Sequence, residues 1–508
     1  MDIDTNNIKL NLNKVRINEK NERWIEQDII VPDNMPDALK IISINSIPYI
    51  NDIEINKNRA KVVGKISYNV VYHANDNNMP IRGLTISYPY TVDFESNNLE
   101  NKEDIILNAK LKNIIYSLPN ERKIAIKNEV DFNMEVKSLS QVEIIKDFSD
   151  GVDIESNKVE NQFSNIICKK KCVITSSEDV MISKDASPMY EILKAYPSIC
   201  NTEIKVSYNK LMLKGDLCVK LLYLGSKNSV CVENVKVPFS TMVEMDNITD
   251  KSQYDICYLI RDFNIKINPD IEQKTLNIDY KIEANIQMYE NCSIEYVDDF
   301  YSRTRDLKYN VNDVNVVTQT NQMQKEINIS DTLSDVLENN QKIVEYYLDT
   351  NGLAIILDDK TINISGVAKL NLLVQDKETQ NVENKVLDIM VEKNISLEDK
   401  YLGKYVNATI EDVSLNVIQN GQDIDIKVII KIKIEAENVL NLNSINNIKE
   451  VPIDLKNISS INIYVVKPHD SIWKIAKKYK TSMNNIIQTN KLEDPNDIQI
   501  GQKILVIR

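Results

Sequence analysis

The segment VVGKISYNVVY, residues 62–72, has two counterparts further along the chain. Each counterpart also places a glycine ahead of two adjacent aliphatic residues, six and seven positions later, in LKGDLCVKLLY (213–223) and ISGVAKLNLLV (364–374). The glycines are Gly64, Gly215 and Gly366, and the residues that close the segments are Tyr72, Tyr223 and Val374. Successive glycines are 151 residues apart both times. An interval that recurs without change indicates a threefold internal repeat.

Other landmarks follow the same period. Upstream of each glycine, a turn-forming residue precedes an acidic residue and two aliphatic ones, in MPDALKII (35–42), SPMYEIL (187–193) and DTLSDVL (331–337). Downstream, YPY (88–90) and VPF (237–239) match in the first two repeats, and the third repeat has no clear equivalent. The third repeat is therefore the most divergent of the three.

Long alternating stretches complete each repeat, for example KIAIKNEVDFNMEVKS in the first and IDIKVIIKIKIEAE in the third. Strict alternation of apolar and polar residues is typical of strands with one buried face. The chain is predicted to be mainly β, with three tandem antiparallel repeats, sandwich or barrel-like, at 1–150, 151–302 and 303–455. A glycine inside such a strand indicates a bulge or a close approach of another backbone.

The end of the chain has a different pattern. In YVVKPHDSIWKIAKKYKTSMNNIIQTN (464–490), a short strand precedes a helix that Asp470 or Ser471 can cap, with Trp473, Ile475 and Ala476 on its buried side. Ser482 can cap a second helix that Asn490, a residue tolerant of the left-handed conformation, would end. Gly501 predicts a turn before a returning strand. The sequence thus predicts a linker at 456–462 and a small βααβ domain at 463–508.

This unit resembles a LysM domain, on the Asp-Ser-Ile-Trp start of its first helix, Asn490, and the Ile-Gly-Gln turn at 500–502. LysM domains bind glycans that contain N-acetylglucosamine in a groove between two loops. The resemblance implies that the groove consists of His469, Asp470, Ser471, Ile472, Asp497, Ile498 and Gln499. His469 stands where the family usually has glycine, and its ring would hinder or alter sugar contact. A glycan and a protein both remain as candidate ligands of this groove.

The repeats resemble the SPOCS domain of spore-coat-associated proteins, on VPDNMPDALKIISINS (31–46), the glycine–tyrosine segment and the YPY or VPF element. Three such repeats and one LysM domain are similar to the SipL/SpoVID type of coat morphogenetic protein from endospore-forming bacteria. The resemblance implies a non-enzymatic scaffold in the mother-cell cytoplasm, at the forespore surface. Its partner would be the coat basement-layer ATPase of the SpoIVA type, and peptidoglycan is an alternative ligand.

The residue inventory favours a protein without catalysis, metal or cofactor. No nucleophile elbow, phosphate-binding loop or dinucleotide fingerprint is present, and the chain has only two histidines. The pair Asp33 and Asp37 is interpreted as a turn rather than a catalytic dyad. Cys168 and Cys172, in CKKKC, have no histidine nearby, so metal binding is disfavoured and all seven cysteines are expected to be reduced.

The net charge and the hydropathy pattern limit the expected binding partners and the expected cellular location. A net charge of −14 disfavours nucleic acid. The N-terminus has no secretory pattern, and no apolar run is long enough for a membrane span, so export is not expected. Two rival interpretations are a cell-wall hydrolase targeted by its LysM domain and a carbohydrate-binding β array. The first would need a signal peptide and a catalytic domain.

Overall fold

A computed structural model of the chain describes residues 3–76, 79–96, 99, 102–149, 153–269, 273–358, 360–398, 401, 404–451, 459–494 and 498–507. As predicted, these residues are mainly β, and α-helices occur in the C-terminal domain. Among the described residues, no helix is long and apolar enough to cross a membrane.

The strands are named in chain order. Those of the first repeat are β1 (Thr5–Lys14), β2 (Ile17–Ile30), β3 (Ala38–Asn56), β4 (Arg59–Ala74), β5 (Ile81–Glu95), β6 (Ile105–Asn120), β7 (Lys123–Val136) and β8 (Leu139–Phe148). Those of the second are β9 (Ile154–Met181), β10 (Glu191–Ser207), β11 (Lys210–Leu224), β12 (Val230–Glu244), β13 (Gln253–Ile267) and β14 (Thr275–Ser302). Those of the third are β15 (Asp306–Leu333), β16 (Gln341–Asp349), β17 (Leu353–Leu357), β18 (Thr361–Asp376), β19 (Val382–Ser396), β20 (Tyr405–Asn420) and β21 (Asp423–Val451).

Each repeat contains two small antiparallel sheets. One is the meander that holds the glycine segment in its central strand: β3-β4-β5, β10-β11-β12, and β18 flanked by β16, β17 and β19. The other joins the long outer strands, as β2-β7-β6, β13-β14-β9 and β20-β21-β15. The two sheets of one repeat bury their apolar faces in one cluster, for example through Val62 and Phe132. The sheets are small and do not close, so the structure does not confirm a barrel.

The predicted close approach at the repeat glycines is present. Gly64 pairs with Tyr90 across β4 and β5, and a Cβ atom on Gly64 would lie 2.2 Å from the carbonyl oxygen of Tyr49. Gly215 likewise pairs with Phe239, and its Cβ would lie 2.6 Å from the phenyl ring. The aromatic residues of the YPY and VPF elements therefore cover the glycines of the neighbouring strand, which leaves no room for a side chain there.

Apolar residues from all three repeats also meet in shared clusters. Val71, Leu222 and Leu373 are equivalent residues, 151 positions apart, and all three are buried in one cluster. Contact among three equivalent positions implies that the repeats surround a common axis. A second shared cluster, with Leu12, Phe163 and Val316, joins the strands that continue away from the meanders. We call this part, formed by β1, β8 and the adjoining ends of β9, β14, β15 and β21, the stem.

The stem also joins two repeats in one sheet. Strand β1 pairs with β8 along its length and with β15 at Asn13–Val317 and Lys14–Val316, in the order β20-β21-β15-β1-β8. Each repeat thus has a main core of its own, and the three repeats also share apolar packing with one another. The boundaries at 150 and 302 stay a prediction, and residues 150–152 lie outside the described part.

A charged cluster lies where the three repeats meet. Arg16 is buried, and its guanidinium contacts Glu135 at 2.9 Å, Glu437 at 3.1 Å and also Glu435. Lys137 binds Asp255 of the second repeat at 2.9 Å. Buried cations need such partners because the low-dielectric interior otherwise disfavours their charge. The cluster therefore ties the repeats together by specific polar contacts as well as by apolar packing.

The cysteine prediction is wrong for one pair. Cys200 on β10 and Cys218 on β11 form a disulfide, whose Cα atoms are 6.2 Å apart. The other five cysteines, including Cys168 and Cys172, are free thiols. The pairing was missed because the two residues are separated by a turn and become neighbours only when the hairpin forms. In the described ranges, no three His, Cys, Asp or Glu side chains are grouped to hold a metal ion.

Candidate binding surface on the LysM domain

The C-terminal domain has the predicted βααβ order, with β22 (Ile461–Val465), α1 (Ile472–Tyr479), α2 (Met483–Asn490) and β23 (Lys503–Ile507). Strand β22 begins two residues before the predicted start of the domain, within the proposed linker, of which residues 456–458 are not described. The hydroxyl of Ser471 accepts a hydrogen bond from the Lys474 amide at 3.2 Å, and that of Ser482 accepts one from Asn485 at 3.1 Å. Both helices are therefore capped as the sequence predicts, the first by Ser471 rather than Asp470.

The loop before α1 is held by Asp470. Its carboxylate accepts hydrogen bonds from the Lys467 amide at 2.8 Å and from the Tyr464 hydroxyl at 2.7 Å. The hydrogen bond from the Lys467 amide, and to a lesser extent the one from the Tyr464 hydroxyl, hold the pKa of the Asp470 carboxyl below its usual range. Asp470 thus stabilises the loop as a charged turn residue. Because its carboxylate already accepts these two hydrogen bonds, it has less capacity to contact a ligand.

His469 is exposed at the tip of the same loop, with φ at 66°. This left-handed conformation explains why the family usually has glycine here, since glycine has no Cβ to clash with the carbonyl. The carbonyl oxygen of His469 accepts a hydrogen bond from the Lys474 side chain at 2.8 Å. The imidazole is therefore presented outward on a fixed backbone.

Ile472 does not line an open groove. Its side chain is 1% exposed and packs with Ile475, Ala476 and Ile486 in the core of the domain. The side chain of Ile472 therefore does not line the groove as the resemblance implies, because the first turn of α1 directs it inward. Its backbone lies at the helix start, beside Ser471.

On the opposite side of the groove, Gln499 is exposed and Ile498 is partly buried. The carbonyl oxygen of Gln499 accepts a hydrogen bond from the Gln502 amide at 3.0 Å. Gly501 forms the predicted turn with φ at 87°. Asp497, the remaining predicted groove residue, lies outside the described residues.

Asn490 has a different role from the predicted one. It is the last helical residue of α2, and the left-handed residue that follows is Lys491. The Asn490 side chain donates to the carbonyl of Leu505 and accepts from the Leu505 amide, both at 2.7 Å. Asn490 therefore fastens α2 to β23, which requires helical rather than left-handed backbone at this position.

Trp473 is partly buried against the LysM core and also contacts β14. Its indole Nε1 donates to the carboxylate of Asp299 at 2.7 Å, and its ring meets that of Tyr301 edge-on at 5.0 Å. Asp299 also pairs with Lys477, and the Tyr301 hydroxyl donates to the carbonyl of Thr481 at 2.7 Å. One face of the LysM domain is thus docked on β14, at the end of the stem.

Sequence reasoning missed this docking surface. Trp473 was assigned to the domain core because its helical position is next to apolar residues. The available signal was the run DDFYSRTRD (298–306), an acidic and aromatic segment where the alternation of β14 stops. No local pattern indicates which other domain such a segment contacts.

An aliphatic row lies on the free face of β22. Ile461, Ile463 and Val465 are 65%, 68% and 48% exposed, and alternate residues of a strand share one face. The neighbouring strand adds Ile507, which pairs with Ile461. We call Ile461, Ile463, Val465 and Ile507 the aliphatic row. It faces away from the helices, whose packing buries Tyr464 on the other side of the strand.

Two earlier candidate sites are structural. Arg122 donates to Asp37 at 2.9 Å and to Asp33 at 3.2 Å, so this acidic pair neutralises a cation within a turn, as interpreted from the sequence. Cys168 and Cys172 lie on β9 and pair with Met288 and Ala284 of β14. Burial raises the pKa of both thiols, which disfavours the reactive thiolate.

Comparison with protein families finds matches in the repeats and in the C-terminal domain. Residues 37–119 and 188–268 match the SipL, SPOCS domain family, and residues 464–506 match the LysM domain family. The chain therefore carries SPOCS regions in its first two repeats and a C-terminal LysM domain. Both are non-catalytic binding or scaffold domains, and their combination fits a sporulation coat-associated protein.

A curated relative is the cortical fragment-lytic enzyme of Bacillus subtilis (strain 168), which is 39% identical over 46 residues. The match covers 9% of this chain and 11% of that enzyme. The chain thus shares only a small part of that protein's length. No solved structure matches the chain.

Proposed function

We propose that the chain is a non-enzymatic scaffold of spore coat assembly that helps to localise and encase the coat around the forespore. In this proposal it acts in the mother-cell cytoplasm by binding a basement-layer coat protein of the SpoIVA type. The proposal rests on the SPOCS and LysM combination and on the absence of catalytic motifs in the sequence.

The aliphatic row is the observation that carries the choice of a protein partner. A flat strand face with three exposed β-branched residues fits the apolar centre of a protein interface. A glycan would need hydrogen-bonding groups on its binding surface, and the side chains of the row have none. His469 and Gln499, in the adjoining loops, would supply the polar rim of the interface.

The docked position of the LysM domain supports a scaffold role. Asp299 and Tyr301 fix the face of the domain that carries Trp473, while the aliphatic row remains exposed. A partner bound to the row would therefore be held at a defined place relative to the three repeats.

The test is binding of the full chain to a purified SpoIVA-type protein. We expect Ile463→Ser to weaken this binding at least tenfold, since exposed anchor residues often contribute more than about 1.4 kcal/mol. The matched control is Met390→Ser, which changes a residue 77% exposed on the third repeat. Equal loss in both variants, or none in Ile463→Ser, would contradict the proposal.

A glycan is the second candidate ligand, favoured by the LysM family itself and by the relative described above. Here His469, Asp470, Ser471, Ile498 and Gln499 would form the groove, with Asp497 and the Ile472 backbone beside them. Sedimentation with purified peptidoglycan tests this candidate. Stronger sedimentation of His469→Gly than of the unchanged chain, with partner binding unaffected, would support the glycan function.

The finer domain architecture also belongs to the proposal. We infer three sandwich-like repeats at 1–150, 151–302 and 303–455, because each has two sheets that share a main core. Limited proteolysis should cut first near 150, near 302 and within 456–462. Cleavage inside the meander strands before these places would argue against the boundaries.

A further inference from the structure

The two edges of the small LysM sheet differ. The outer edge of β23 is closed by side chains. The side-chain amide of Asn490 binds both the N–H and the carbonyl of Leu505, and the Thr481 hydroxyl donates to the carbonyl of Ile507 at 2.8 Å. Strand β22 pairs with β23 on one side, and no other described strand lies beside it. The sheet therefore has one closed edge and one open edge.

The pairing register shows which backbone groups point to the open edge. In an antiparallel pair, residues bonded across the pair alternate with residues whose N–H and C=O point outward. Ile463 lies opposite Leu505, whose two groups already bind a side chain of α2, so the N–H and carbonyl of Ile463 point outward. Val466 has the opposite phase, because its amide donates to the Gln502 carbonyl at 2.9 Å. Val465 therefore also presents its backbone groups at the open edge.

The open edge lacks the usual protection against strand pairing. Natural edge strands are commonly protected by a charged side chain, a proline or a bulge. Strand β8, at the edge of the stem sheet, has exposed Glu143 and Lys146. Strand β22 (INIYV) has no charged residue and no proline, its register with β23 is regular, and the aliphatic row is exposed along it. Such an edge is a template for a further strand.

The charge of the domain indicates the chemistry of that further strand. Residues 459–508 contain eight Lys and Arg residues and four Asp and Glu residues, whereas the whole chain has a net charge of −14. The ammonium group of Lys478 lies 5.0 Å from the centroid of the Tyr464 ring, on the helix side of β22. Lys478 is exposed and has no ion-pair partner among the described residues. Acidic side chains on the helix side of an added strand would complement this charge.

We propose that the protein partner adds an extended segment to β22 as a third strand, in which β-branched and acidic residues alternate. This step rests on the proposed function, in which the aliphatic row binds a protein. The main chain of the segment would bond to Ile463 and Val465. Its β-branched side chains would extend the aliphatic row by cross-strand pairs, and its acidic side chains would face Lys478.

Residue-resolved hydrogen–deuterium exchange of the full chain tests this mode of binding by its alternation. The probes are the peptides EVEVEVE and KVKVKVK, blocked at both ends and used at millimolar concentration. EVEVEVE should slow exchange of the Ile463 and Val465 amides at least about fivefold and leave the Tyr464 amide, which already bonds to β23, unchanged. Equal slowing of all three amides, or of none, would overturn the proposal. Stronger protection by KVKVKVK than by EVEVEVE would also overturn it.

A proline substitution tests the backbone bond directly. Ile463→Pro removes the outward N–H, and proline is tolerated in an edge strand where the N–H faces solvent. It should raise the EVEVEVE concentration for half-maximal protection of the Val465 amide at least about fivefold. The control Ile463→Val keeps the N–H and should stay within about twofold of the unchanged chain. Equal affinity in the two variants would contradict strand addition. If faster exchange at Tyr464 shows that the proline loosens β22, the alternation in the unchanged chain decides alone.

The outcomes separate strand addition from the proposed function. Binding of the SpoIVA-type protein that is lost in Ile463→Ser, without alternating protection by EVEVEVE, would keep the proposed function and reject strand addition. Alternating protection by EVEVEVE, without binding of the SpoIVA-type protein, would keep strand addition and reject that partner.

Discussion

The first two repeats and the third differ at the glycine segment that they share. In the first two, Tyr72 and Tyr223 are buried and donate hydrogen bonds at 3.2 Å to the carbonyls of Pro36 and Ser187, which are themselves equivalent residues. In the third repeat the position is Val374, which is also buried but has no hydroxyl. The SPOCS family match covers the first two repeats and not the third.

The residues that surround the glycine also differ between the first two repeats and the third. Gly64 and Gly215 are covered by the aromatic rings of Tyr90 and Phe239. Gly366 instead lies against the backbone of Gly352, and its φ is 140°. The shared requirement is a strand position without a side chain, and the residue that covers it is free to change. The two repeats that match the SPOCS family therefore share a covering aromatic ring and the buried tyrosine, and the third repeat has neither at these positions.

The largest expected effect comes from filling the space at these glycines. Gly366→Ala should destabilise the protein by about 4 kcal/mol, because overpacking adds to a strained backbone. Gly64→Ala should cost about 3 kcal/mol, since its Cβ meets backbone, and Gly215→Ala about 2 kcal/mol, since a ring can shift. Urea unfolding would measure these losses. A smaller loss of stability at Gly366 than at Gly215 would contradict the proposed difference between the third repeat and the first two.

The contribution of the charged cluster to the stability of the fold can be tested by lowering the pH. Burial opposes ionisation of Asp255, but Lys137, with Lys433 and Arg16, outweighs it and lowers the pKa of Asp255 to about 2. A carboxyl whose pKa is lower in the folded state stabilises the fold above its unfolded pKa of about 3.9. That contribution, about 2 kcal/mol, should be lost between about pH 4 and pH 2.

Asp255→Asn isolates this effect from the other carboxylates. The variant should be less stable at neutral pH and should lose less stability than the unchanged chain on acidification. Urea midpoints at several pH values would measure the difference. Parallel pH profiles for the two proteins would mean that the charged cluster does not hold the repeats together.

The tyrosine hydrogen bond should have a smaller effect. Tyr72→Phe and Tyr223→Phe should each cost about 1 kcal/mol, the usual net value of one hydrogen bond. Tyr49→Phe is the matched control, because the Tyr49 hydroxyl has no partner and its loss should cost nothing. Thermal unfolding would compare the three variants. Equal losses in all of them would show that ring packing, not the bond to Pro36 or Ser187, is what the repeats share.

Local patterns predicted much of the architecture. Alternation gave the strands, the 151-residue interval gave the repeats, and the caps Ser471 and Ser482 gave the helices. These features depend on residues close in the chain or on self-similarity. The cluster of Val71, Leu222 and Leu373 depends on contacts between repeats, and alternation does not indicate which strand ends face one another.

The candidate site was predicted less well for the same reason. The groove residues were located by resemblance, but Ile472 is buried and Trp473 contacts β14. Both lie on α1, and helical periodicity cannot distinguish the core of a domain from a face that docks on another domain. The aliphatic row was not singled out, although the alternation of Ile461, Ile463 and Val465 was visible in the sequence.

The smallest expected effect on stability is at His469, which has a left-handed backbone conformation although it is not a glycine. Gly366 and Gly501 have positive φ as glycines, whereas His469 has φ at 66° with a side chain. His469→Gly should therefore stabilise the loop by at most about 1 kcal/mol, because relief of strain is partly offset by the greater freedom of glycine in the unfolded chain. Hydrogen exchange in α1 would measure the local gain, with His469→Ala as the control that keeps the Cβ. Loss of protection in His469→Gly but not in His469→Ala would mean that the backbone at this loop is not strained.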